Sequence, residues 1–460
     1  MRLARSTVRD MTTGSPMKLV IGFTVPLLFG FLFQQLYSFV DTAIVGKTLG
    51  ADQLAAVGCT GSLNFLILGF CNGLCAGFAI PIAQSFGAHE ESEMRCYLAN
   101  AIYICVGFSL VMGVVTALLC PTMLRLMNTD ASIFDSAVSY IRLIFAAIPV
   151  TVLYNMSSGV LRSLGDSKTP VYFIAIASVV NIVLDLLFIM VFGMGVAGAA
   201  VATIISQLVS GVGCLVVMIR HFPILRMSRE ERRFRPRYAA HLVGIGIPMG
   251  LQYSITAIGS VVAQWSVNGI SVAAVSAMTA GGKISMFFTC MFDALATTMA
   301  TYAGQNMGAK KGRRIVQGLN AASVIGTIYC ILAFIIIWLF GRQMIGLFVD
   351  AGSDGEVVSM AYRFLLINSS MYIPLLFVNI VRLSIQGMGF TQVAMFAGVA
   401  EMIARTGVAV LLVPVLGFTG ACLANPMAWL LADAFLIPCF AHIMRRMKVY
   451  LRPVGGQREA

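Results

Sequence analysis

The segment IAQSFGAHE, residues 82–90, has a near copy in AGQNMGAKK, residues 303–311, at an offset of 221 positions. Pro26 and Pro248 are separated by almost the same distance, 222 positions. Further pairs at offsets between 222 and 225 are Gly198 with Gly420, Gly165 with Gly389 and Pro149 with Pro374. A near-constant spacing over the whole chain indicates an internal duplication, so the sequence predicts two halves of similar fold.

The composition indicates what kind of structure is duplicated. Of the 460 residues, 59% are hydrophobic and 11% are charged, and the mean hydropathy is +0.89. Apolar runs of about 20 residues, enough to cross the roughly 30 Å hydrocarbon core of a bilayer as a helix, recur along the chain. Because a helix satisfies its own backbone hydrogen bonds in lipid, the expected fold is an all-α integral membrane bundle.

Charged, glycine and proline residues divide the apolar runs into twelve candidate spans, six in each half. The spans of the first half lie near 17–45, 53–83, 95–120, 136–162, 170–192 and 196–219. Those of the second half lie near 240–267, 271–305, 316–341, 359–387, 393–414 and 418–444. The predicted domains are an N-terminal six-helix lobe at 1–219, a basic linker at 220–240 and a C-terminal lobe with a tail at 241–460. Six spans per half predict a pseudo-two-fold axis along the membrane normal.

The cations are unevenly distributed between the two sides of these spans. If the N-terminus is cytoplasmic, 24 of the 31 Lys and Arg residues fall in cytoplasmic segments, with seven arginines in the central linker alone. This asymmetry follows the positive-inside rule and predicts a multi-pass protein of the cell (inner or plasma) membrane with both termini cytoplasmic. The net charge of +12 therefore reflects topology, and we expect no nucleic-acid binding.

The sequence contains few signs of metal or enzyme chemistry. The eleven cysteines lie mostly within apolar runs and form no C-x-x-C pair, and the four histidines lie at segment ends. We therefore predict small packing residues rather than a metal site or a disulfide framework. The chain also lacks a G-x-x-x-x-G-K-[ST] phosphate loop and a G-x-S-x-G nucleophile motif, so we expect neither an enzyme nor an organic cofactor.

The segment LYSFVDTAIVG, residues 36–46, places the carboxylate of Asp41 within an apolar run. Tyr37 precedes it by four residues and shares its helix face, and the same spacing relates Asn181 to Asp185. A charge in hydrocarbon costs about 3 kcal/mol or more, so it requires a partner or a function. Convergent oxygen atoms suit a proton or a hard cation such as sodium, although a polar network that only fixes helix register stays an alternative. The predicted cation or proton site comprises Tyr37, Asp41, Asn181, Asp185 and Thr203.

The second half does not repeat these acids. Glu401 and Arg405 are four residues apart, which suits a local ion pair, whereas Asp293 has no cation close by in sequence. Arg382 and Asp433 lie near predicted helix ends, where they could reach the membrane surface, and we assign them no role. The predicted second-lobe charged cluster comprises Lys283, Asp293, Glu401 and Arg405, which either couple ions or only stabilise the lobe.

The ordered motifs of both halves resemble those of the multidrug and toxic compound extrusion (MATE) family. The resemblance covers residues 15–445 and depends on the order and duplicated spacing of motifs that are individually short. They are P-x14-D-T-x-I-V-G (26–46), G-V-L-R-S-L-G-D-S-K-T-P (159–170), G-V-A-G-A-A-V-A-T (195–203), G-Q-N-M-G-A (304–309) and G-F-T-G-A-C-L-A-N-P (417–426).

The resemblance implies two six-helix lobes arranged in a V around a central cavity. It also implies alternating-access export of organic, often cationic or amphipathic, compounds in exchange for H⁺ or Na⁺. One branch of the family has its cation or proton site at positions matching the five first-lobe residues above, and the other branch uses acids of the C-terminal lobe, here Asp293 and Glu401. Pro26 lacks the amide that closes a helical hydrogen bond, so we expect the first span to bend there when the site is occupied.

We expect a monomer in lipid whose partners are small organic cations or amphipathic drugs and the coupling ion. Side chains that repack around varied shapes suit the substrate cavity, although at helical spacing they also suit an ordinary core. The alternative function is a lipid-linked oligosaccharide flippase or another metabolite exporter of the same superfamily. Because H⁺ and Na⁺ bind the same carboxylates, both coupling ions stay open. The candidate cavity residues are Gln34, Gln35, Met286, Phe287 and Met291.

Overall fold

The computed structural model describes residues 9–347 and 355–450, and within these ranges the regular structure is entirely helical. Ten helical segments are long and apolar enough to cross a membrane, and two bent helix pairs raise the number of possible spans to twelve. The prediction of an all-α membrane bundle is confirmed. The basic stretch before residue 9 and the predicted tail after residue 450 lie outside the described residues.

Each half of the bundle forms one lobe. The helices of the first lobe are α1 (Pro16–Leu49), α2 (Ala51–Cys59), α3 (Gly61–Gly87), α4 (Glu91–Leu126), α5 (Ala131–Ala146), α6 (Ile148–Ser163), α7 (Lys168–Asp185) and α8 (Gly195–His221). Those of the second are α9 (Pro236–Asn268), α10 (Val272–Gly308), α11 (Gly312–Ile345), α12 (Gly355–Ser370), α13 (Tyr372–Gly387), α14 (Thr391–Gly407), α15 (Val413–Leu416), α16 (Phe418–Cys422) and α17 (Ala424–Tyr450).

Local sequence accounts for several helix starts. The Asp130 carboxylate accepts a hydrogen bond from the Ser132 amide at 2.8 Å where α5 begins. The Ser271 hydroxyl accepts one from the Ala274 amide at 3.1 Å where α10 begins. Both are N-cap contacts, which satisfy amides that have no partner within the helix. α1 and α9 instead begin with a proline in the first turn, where the missing amide has no cost.

Two of the predicted spans, 136–162 and 359–387, are broken rather than continuous. α5 and α6 meet at 46°, and α12 and α13 meet at 51°. Pro149 and Pro374 follow these breaks directly, and a proline cannot donate the hydrogen bond that would continue the preceding helix. Counted as one span each, the two bent pairs give the twelve predicted spans, but neither is a continuous helix, and both breaks lie just before matched prolines of the repeat.

The outer surface of the bundle is apolar. Val111 and Leu118 of α4 are 62% and 72% exposed, and Trp338 of α11 is 58% exposed. A water-facing surface with many such residues would be unfavourable, whereas lipid tails accommodate it. These helices therefore have the surface expected of a membrane-embedded protein.

Small residues bring the two lobes together along α3 and α9. A Cβ atom added to Gly73 would lie 2.6 Å from the carbonyl oxygen of Met249, and one added to Gly77 would lie 2.6 Å from the Cα of Gly246. Membrane helices use such glycines to let two backbones approach closely. α3 and α9 therefore form a close-packed contact between the lobes, while each lobe buries a large hydrophobic cluster of its own.

The two copies of the repeated motif meet at what we call the basic end of the bundle, where α3 turns into α4 and α10 turns into α11. The Gln84 side chain donates a hydrogen bond to the carbonyl oxygen of Gly387 in the other lobe at 2.9 Å. The Gln305 side chain donates the equivalent bond to the carbonyl oxygen of Ser163 at 2.8 Å. The motif that revealed the duplication thus forms a reciprocal pair of bonds across the lobe boundary.

The glycines of the same motif allow this approach. A Cβ atom added to Gly308 would lie 1.8 Å from the backbone oxygen of Gln84, and one added to Gly87 would lie 2.0 Å from that of Gln305. These distances are far below van der Waals contact, so any larger residue would push the lobes apart. The repeated Q-x-x-G spacing is therefore explained by packing at the pseudo-two-fold axis.

Residues 9–12 lie between the lobes at the basic end. Met11 is fully buried, its amide donates to Oε1 of Gln305 at 2.9 Å, and its carbonyl oxygen accepts a bond from Nδ2 of Asn306 at 3.1 Å. The Lys311 ammonium donates to the carbonyl oxygen of the next residue, Thr12, at 3.0 Å. This short segment is therefore hydrogen-bonded to the second lobe although it precedes the first helix of the first lobe.

The other side of this segment contacts the motif at 159–170. The backbone of Arg9 lies against Gly165, where an added Cβ atom would be 2.1 Å from the Arg9 carbonyl oxygen and where φ is +84°. The adjacent Asp166 is buried and accepts hydrogen bonds from the Lys168 and Thr169 amides, both at 3.0 Å. Glycine is thus required for close contact, and aspartate caps α7.

The linker between the lobes is held against α4. The Glu231 carboxylate accepts hydrogen bonds from the Ser228 amide at 2.8 Å and from Nε of Arg95 at 3.0 Å. The Ser228 amide, followed by smaller contributions that include Arg95, lowers the pKa of Glu231 to about 2. The Arg235 amide donates to the side chain of Asn100 at 2.9 Å, so the linker is attached to α4 at two places.

We predict that Gln305→Ala destabilises the protein, because it leaves the Met11 amide and the Ser163 carbonyl buried without this partner. Each unsatisfied group costs about 1–3 kcal/mol, and we expect the midpoint of thermal unfolding to fall by about 5 °C or more. Thermal unfolding of the purified protein would measure this. Gln343→Ala, at an exposed position of α11, is the matched control, and equal midpoints for both variants would contradict the prediction.

Candidate functional site

The structure brings the five predicted first-lobe residues together between α1, α7 and α8. Tyr37, Asn181 and Thr203 line a cavity of about 260 Å³. Asp41 and Asp185 lie beside it, close enough to interact with each other and with the Tyr37 phenol. The helical spacing in the sequence thus placed each pair on one face, and the packing of α1 against α7 brings the two faces together.

Several polar atoms of this group have no partner within the described part of the chain. They are Oδ1 of Asp41, both carboxylate oxygens of Asp185 and both amide atoms of Asn181. Asp185 and Asn181 are 0% and 1% exposed, so bulk water does not solvate them directly. A buried unsatisfied polar group costs about 1–3 kcal/mol, more when charged, and such groups are uncommon in folded proteins. A bound proton, water or a hard cation would satisfy this cluster.

The backbone geometry changes at the same place. α7 ends at Asp185 and continues as a π-helical turn over Leu186–Val191. In the second lobe, α14 continues as a π-helical turn over Val408–Leu412. Such wide turns are rare and often occur at functional sites. The duplicated π turns therefore mark equivalent positions, one beside the first-lobe carboxylates and one just after Arg405.

Tyr140 of α5 is a site residue that the sequence analysis missed. It is 8% exposed, and its phenol lies within electrostatic range of Asp41, Tyr37 and Asp185. The neighbouring Ser136 and Ser139 are small hydroxyl residues that suit many helix surfaces, and no acid lies one helical turn from Tyr140 to mark it as part of an ion site. Only the packing of α5 against the rest of the lobe identifies its position.

The remainder of the first-lobe cavity is lined by amides and hydroxyl groups. The Thr151 hydroxyl donates to Gln207 at 2.8 Å, and Asn155 donates to Asn72 at 2.7 Å. Gln34, predicted as a substrate residue, lines this cavity, whereas the lining residues do not include Gln35. The cavity therefore has a polar, uncharged wall beside the two carboxylates.

Pro26 lies inside α1, about four turns before Asp41. Two residues earlier, the hydroxyl of Thr24 is hydrogen-bonded to that of Thr298 in α10 at 2.8 Å, and both residues are buried. The half of α1 that precedes Pro26 is thus attached to the second lobe, and the half that follows it belongs to the carboxylate site.

A second cavity, of about 370 Å³, lies within the second lobe. Asp293, Arg382, Glu401 and Arg405 line it. Arg382 and Glu401 form a buried ion pair, and Nη2 of Arg405 lies 3.5 Å from the other oxygen of Glu401. Asp293 is exposed to the cavity and forms no ion pair with any described residue.

Two interpretations of these charges need correction. Arg382 does not reach the membrane surface from a helix end, because it is 7% exposed and contacts Glu401 within the lobe. Lys283 is exposed and has no ion-pair partner among the described residues, so the cluster contains Arg382 in its place. Asp433 is 9% exposed and lies near Arg382. A sequence alone does not show which face of a helix is buried against its neighbours.

The predicted apolar substrate residues are divided among different surroundings. Met286 lines the second-lobe cavity. Met291 is buried in the hydrophobic core, and Phe287 is half-buried outside the lining of both cavities. Over the described ranges, no group of three or more His, Cys, Asp and Glu side chains is arranged to hold a metal ion.

A bundle of two similar membrane-spanning lobes, each with a polar internal cavity, is typical of secondary transporters. The MatE family model matches residues 26–187 and 248–411, one segment in each lobe. The chain therefore belongs to the MATE family of multidrug efflux transporters.

Individual relatives agree with this family. The chain is 32% identical over 354 residues to the probable multidrug resistance protein YpnP of Bacillus subtilis, covering 75% of this chain and 78% of that protein. It is 23% identical over 365 residues to an FAD transporter of Shewanella oneidensis, covering 78% and 79%. Among solved structures, it matches a MOP superfamily transporter from Pyrococcus furiosus, for which reverse polarity of the binding pocket suggests a different function, with a TM-score of 0.91, 20% identity and coverage of 97% and 99%.

We predict that Asp185→Asn stabilises the protein. Asparagine has the same shape but removes a buried carboxylate whose oxygens have no partner in the described chain, and an unpaired buried charge costs several kcal/mol. We expect the thermal unfolding midpoint of Asp185→Asn to exceed that of the wild-type protein by an amount that grows as the pH is raised and the wild-type carboxyl group ionises, reaching about 3 °C or more at the alkaline end. Asp52→Asn, at an exposed position of α2, is the control. A lower midpoint for Asp185→Asn would show that the carboxylate stabilises the fold.

Proposed function

We propose that this protein is a secondary active exporter that moves organic compounds out of the cell in exchange for H⁺ or Na⁺. The observation that supports this most directly is the pair of first-lobe carboxyl groups, Asp41 and Asp185, which lie close enough to interact, while Oδ1 of Asp41 and both oxygens of Asp185 accept no hydrogen bond from any other described residue. In a purely structural polar network, each buried polar group would have a hydrogen-bond partner within the protein. A site that takes up and releases an ion instead has polar atoms without partners when the ion is absent.

The chemistry of coupling follows from these two groups. When both are ionised, their charges repel and the surrounding helices favour a wider arrangement; a proton or Na⁺ removes that repulsion. Neutralisation therefore changes which of two packings of α1 against α7 has the lower free energy. In this way a change of charge at one site can switch the conformation of the lobe. Pro26 provides the point where α1 can bend, and the bond from Thr24 to Thr298 transmits the change to α10.

The direction of opening is part of the same proposal. We assign the basic end to the cytoplasm, with both termini there, because the linker arginines and the 310–314 cations lie at this end. The reciprocal glutamine bonds and residues 9–12 close this end between the lobes. The structure thus fits the half of the cycle in which substrate is released outside. The domain division at 219 and 241 and a monomeric state are proposed with it.

The names of the relatives indicate several different classes of substrate. Some are called multidrug resistance or multidrug export proteins, and one is called an FAD transporter. Organic cations and amphipathic drugs are the first substrate class that we propose. The second candidate is export of an anionic metabolite or lipid-linked oligosaccharide, and the buried arginines of the second-lobe cavity favour it.

The proposal predicts that Asp41→Asn and Asp185→Asn each abolish gradient-driven transport, because neither can be neutralised and recharged. In proteoliposomes loaded with rhodamine 123, with pH and Na⁺ gradients imposed separately, we expect each variant to retain about a tenth or less of wild-type transport. Asp52→Asn should transport normally.

Full ion-driven transport by both variants would contradict the proposed site. If neither the pH gradient nor the Na⁺ gradient drives transport by the wild-type protein, ion coupling is contradicted and the flippase alternative is favoured. A response to only one of the two gradients would identify the coupling ion.

A further inference from the structure

We propose that the linker turn, residues 229–235, binds the headgroup of an anionic phospholipid in the leaflet at the basic end. The phosphate of the lipid would lie at Arg232 and Arg233, and an acyl chain would lie along the apolar outer surface of α4. This lipid site does not depend on which compounds the protein transports. It follows from the level of the membrane at which the linker turn lies.

The outer surface of α4 shows where the membrane begins. The helix has no charged residue between Arg95 and Arg125. Tyr103 and Arg125 are 22 positions apart, which corresponds to roughly 33 Å along a helix and so to about the thickness of the hydrocarbon core. On the membrane side of Tyr103, the apolar residues Val106 and Leu110 are exposed. Tyr103, itself half exposed, therefore lies at the level of the lipid headgroups, where tyrosine is common.

Three contacts hold the linker turn at this same level. The Tyr103 hydroxyl donates a hydrogen bond to the carbonyl oxygen of Arg232 at 2.9 Å. The rings of Tyr103 and Phe234 pack edge to face, with their centroids 6.3 Å apart. The amide of Arg235 donates to the side chain of Asn100, one turn of α4 before Tyr103. Phe234 is 56% exposed, so the turn presents an aromatic ring beside the lipid-facing surface of α4.

The arginines of the turn are not compensated within the protein. Residues 226–237 contain six arginines and two glutamates. The carboxylate of Glu231 already accepts hydrogen bonds from α4 and from the linker backbone, and Glu230 is exposed. Arg232 and Arg233 are also exposed, and neither forms an ion pair with any described residue. The linker turn therefore has an excess of positive charge at the membrane surface.

An anionic phospholipid matches this combination of groups. Its phosphate accepts charge-assisted hydrogen bonds from guanidinium groups, and cations beside a membrane attract anionic lipids. Its acyl chains would contact Phe234 and continue along Ile102 and Val106, which are exposed on α4. A soluble anion would contact only the arginines and would not use the apolar surface. Binding would hold the linker, which joins the two lobes, at the membrane surface.

Native mass spectrometry of the purified full-length protein, titrated with dioleoylphosphatidylglycerol or dioleoylphosphatidylcholine, tests this. The two lipids have the same acyl chains and differ in the charge of the headgroup. We expect the wild-type protein to bind phosphatidylglycerol about tenfold more tightly than phosphatidylcholine. Glycerol phosphate, which has the anionic group without the chains, should not displace phosphatidylglycerol at the same concentration.

Arg232→Gln combined with Arg233→Gln should weaken phosphatidylglycerol binding by about tenfold or more and change phosphatidylcholine binding by less than about twofold, because only the charge is lost. Arg232→Lys combined with Arg233→Lys should retain most of the preference, which separates loss of charge from loss of fold. Arg445→Gln combined with Arg446→Gln is the matched control, because it removes two adjacent exposed arginines of α17 and changes the net charge equally.

Four results would overturn the inference. Equal weakening by the two double glutamine variants would indicate diffuse attraction to all the cations of the basic end. No weakening by the Arg232 and Arg233 pair, or equal wild-type affinity for the two lipids, would show that the linker turn does not recognise the headgroup. Displacement by glycerol phosphate would indicate a site for a soluble phosphate compound instead of a lipid.

Discussion

Within lipid, every buried polar group has to find its partner inside the protein, and this constraint explains which parts of the molecule are fixed and which can change. At the basic end, Gln84 and Gln305 satisfy carbonyl groups of the opposite lobe and are satisfied in return. By contrast, Oδ1 of Asp41 and both carboxylate oxygens of Asp185 accept no hydrogen bond from any other described residue. The first arrangement holds the two lobes together, and the second leaves buried polar atoms without partners, as our proposal of an ion site requires.

Much of the architecture could be predicted from the sequence, because span length, loop charge and the repeat depend on simple physical limits. The first-lobe residues were also found, since Tyr37 with Asp41 and Asn181 with Asp185 share helix faces by their spacing. Contacts between helices were harder to predict. Tyr140 reaches the site from a helix whose polar residues do not include a carboxylate one turn away, and Lys283 and Arg382 have opposite burial although both are cations within helices. Which side of a helix is buried depends on neighbours that spacing does not identify.

The two lobes share their backbone architecture but differ in the side chains that line their cavities. Breaks at matched prolines, paired π turns and the reciprocal glutamines keep the two lobes superimposable in outline. The cavities differ: the first has two carboxylates beside uncharged amides, and the second has two arginines with two acids in its lining. Under the proposed function, the first lobe would sense the coupling ion, and the second lobe would have different binding chemistry. Contacts between the lobes at the pseudo-two-fold axis constrain the backbone of both lobes in the same way. Side chains inside one lobe do not take part in these contacts, so they can differ between the lobes.

Residues 9–12 have a practical consequence. Their backbone is hydrogen-bonded into the second lobe, through the bonds of Met11 to Gln305 and Asn306, in this structure, where the lobes are closed at the basic end. In the proposed transport cycle this contact opens at each turnover, so a fusion partner or affinity tag joined immediately ahead of it would favour one conformation over the other. Purification handles are better attached at the opposite terminus, and a fluorophore placed near residue 9 would report on the cycle itself.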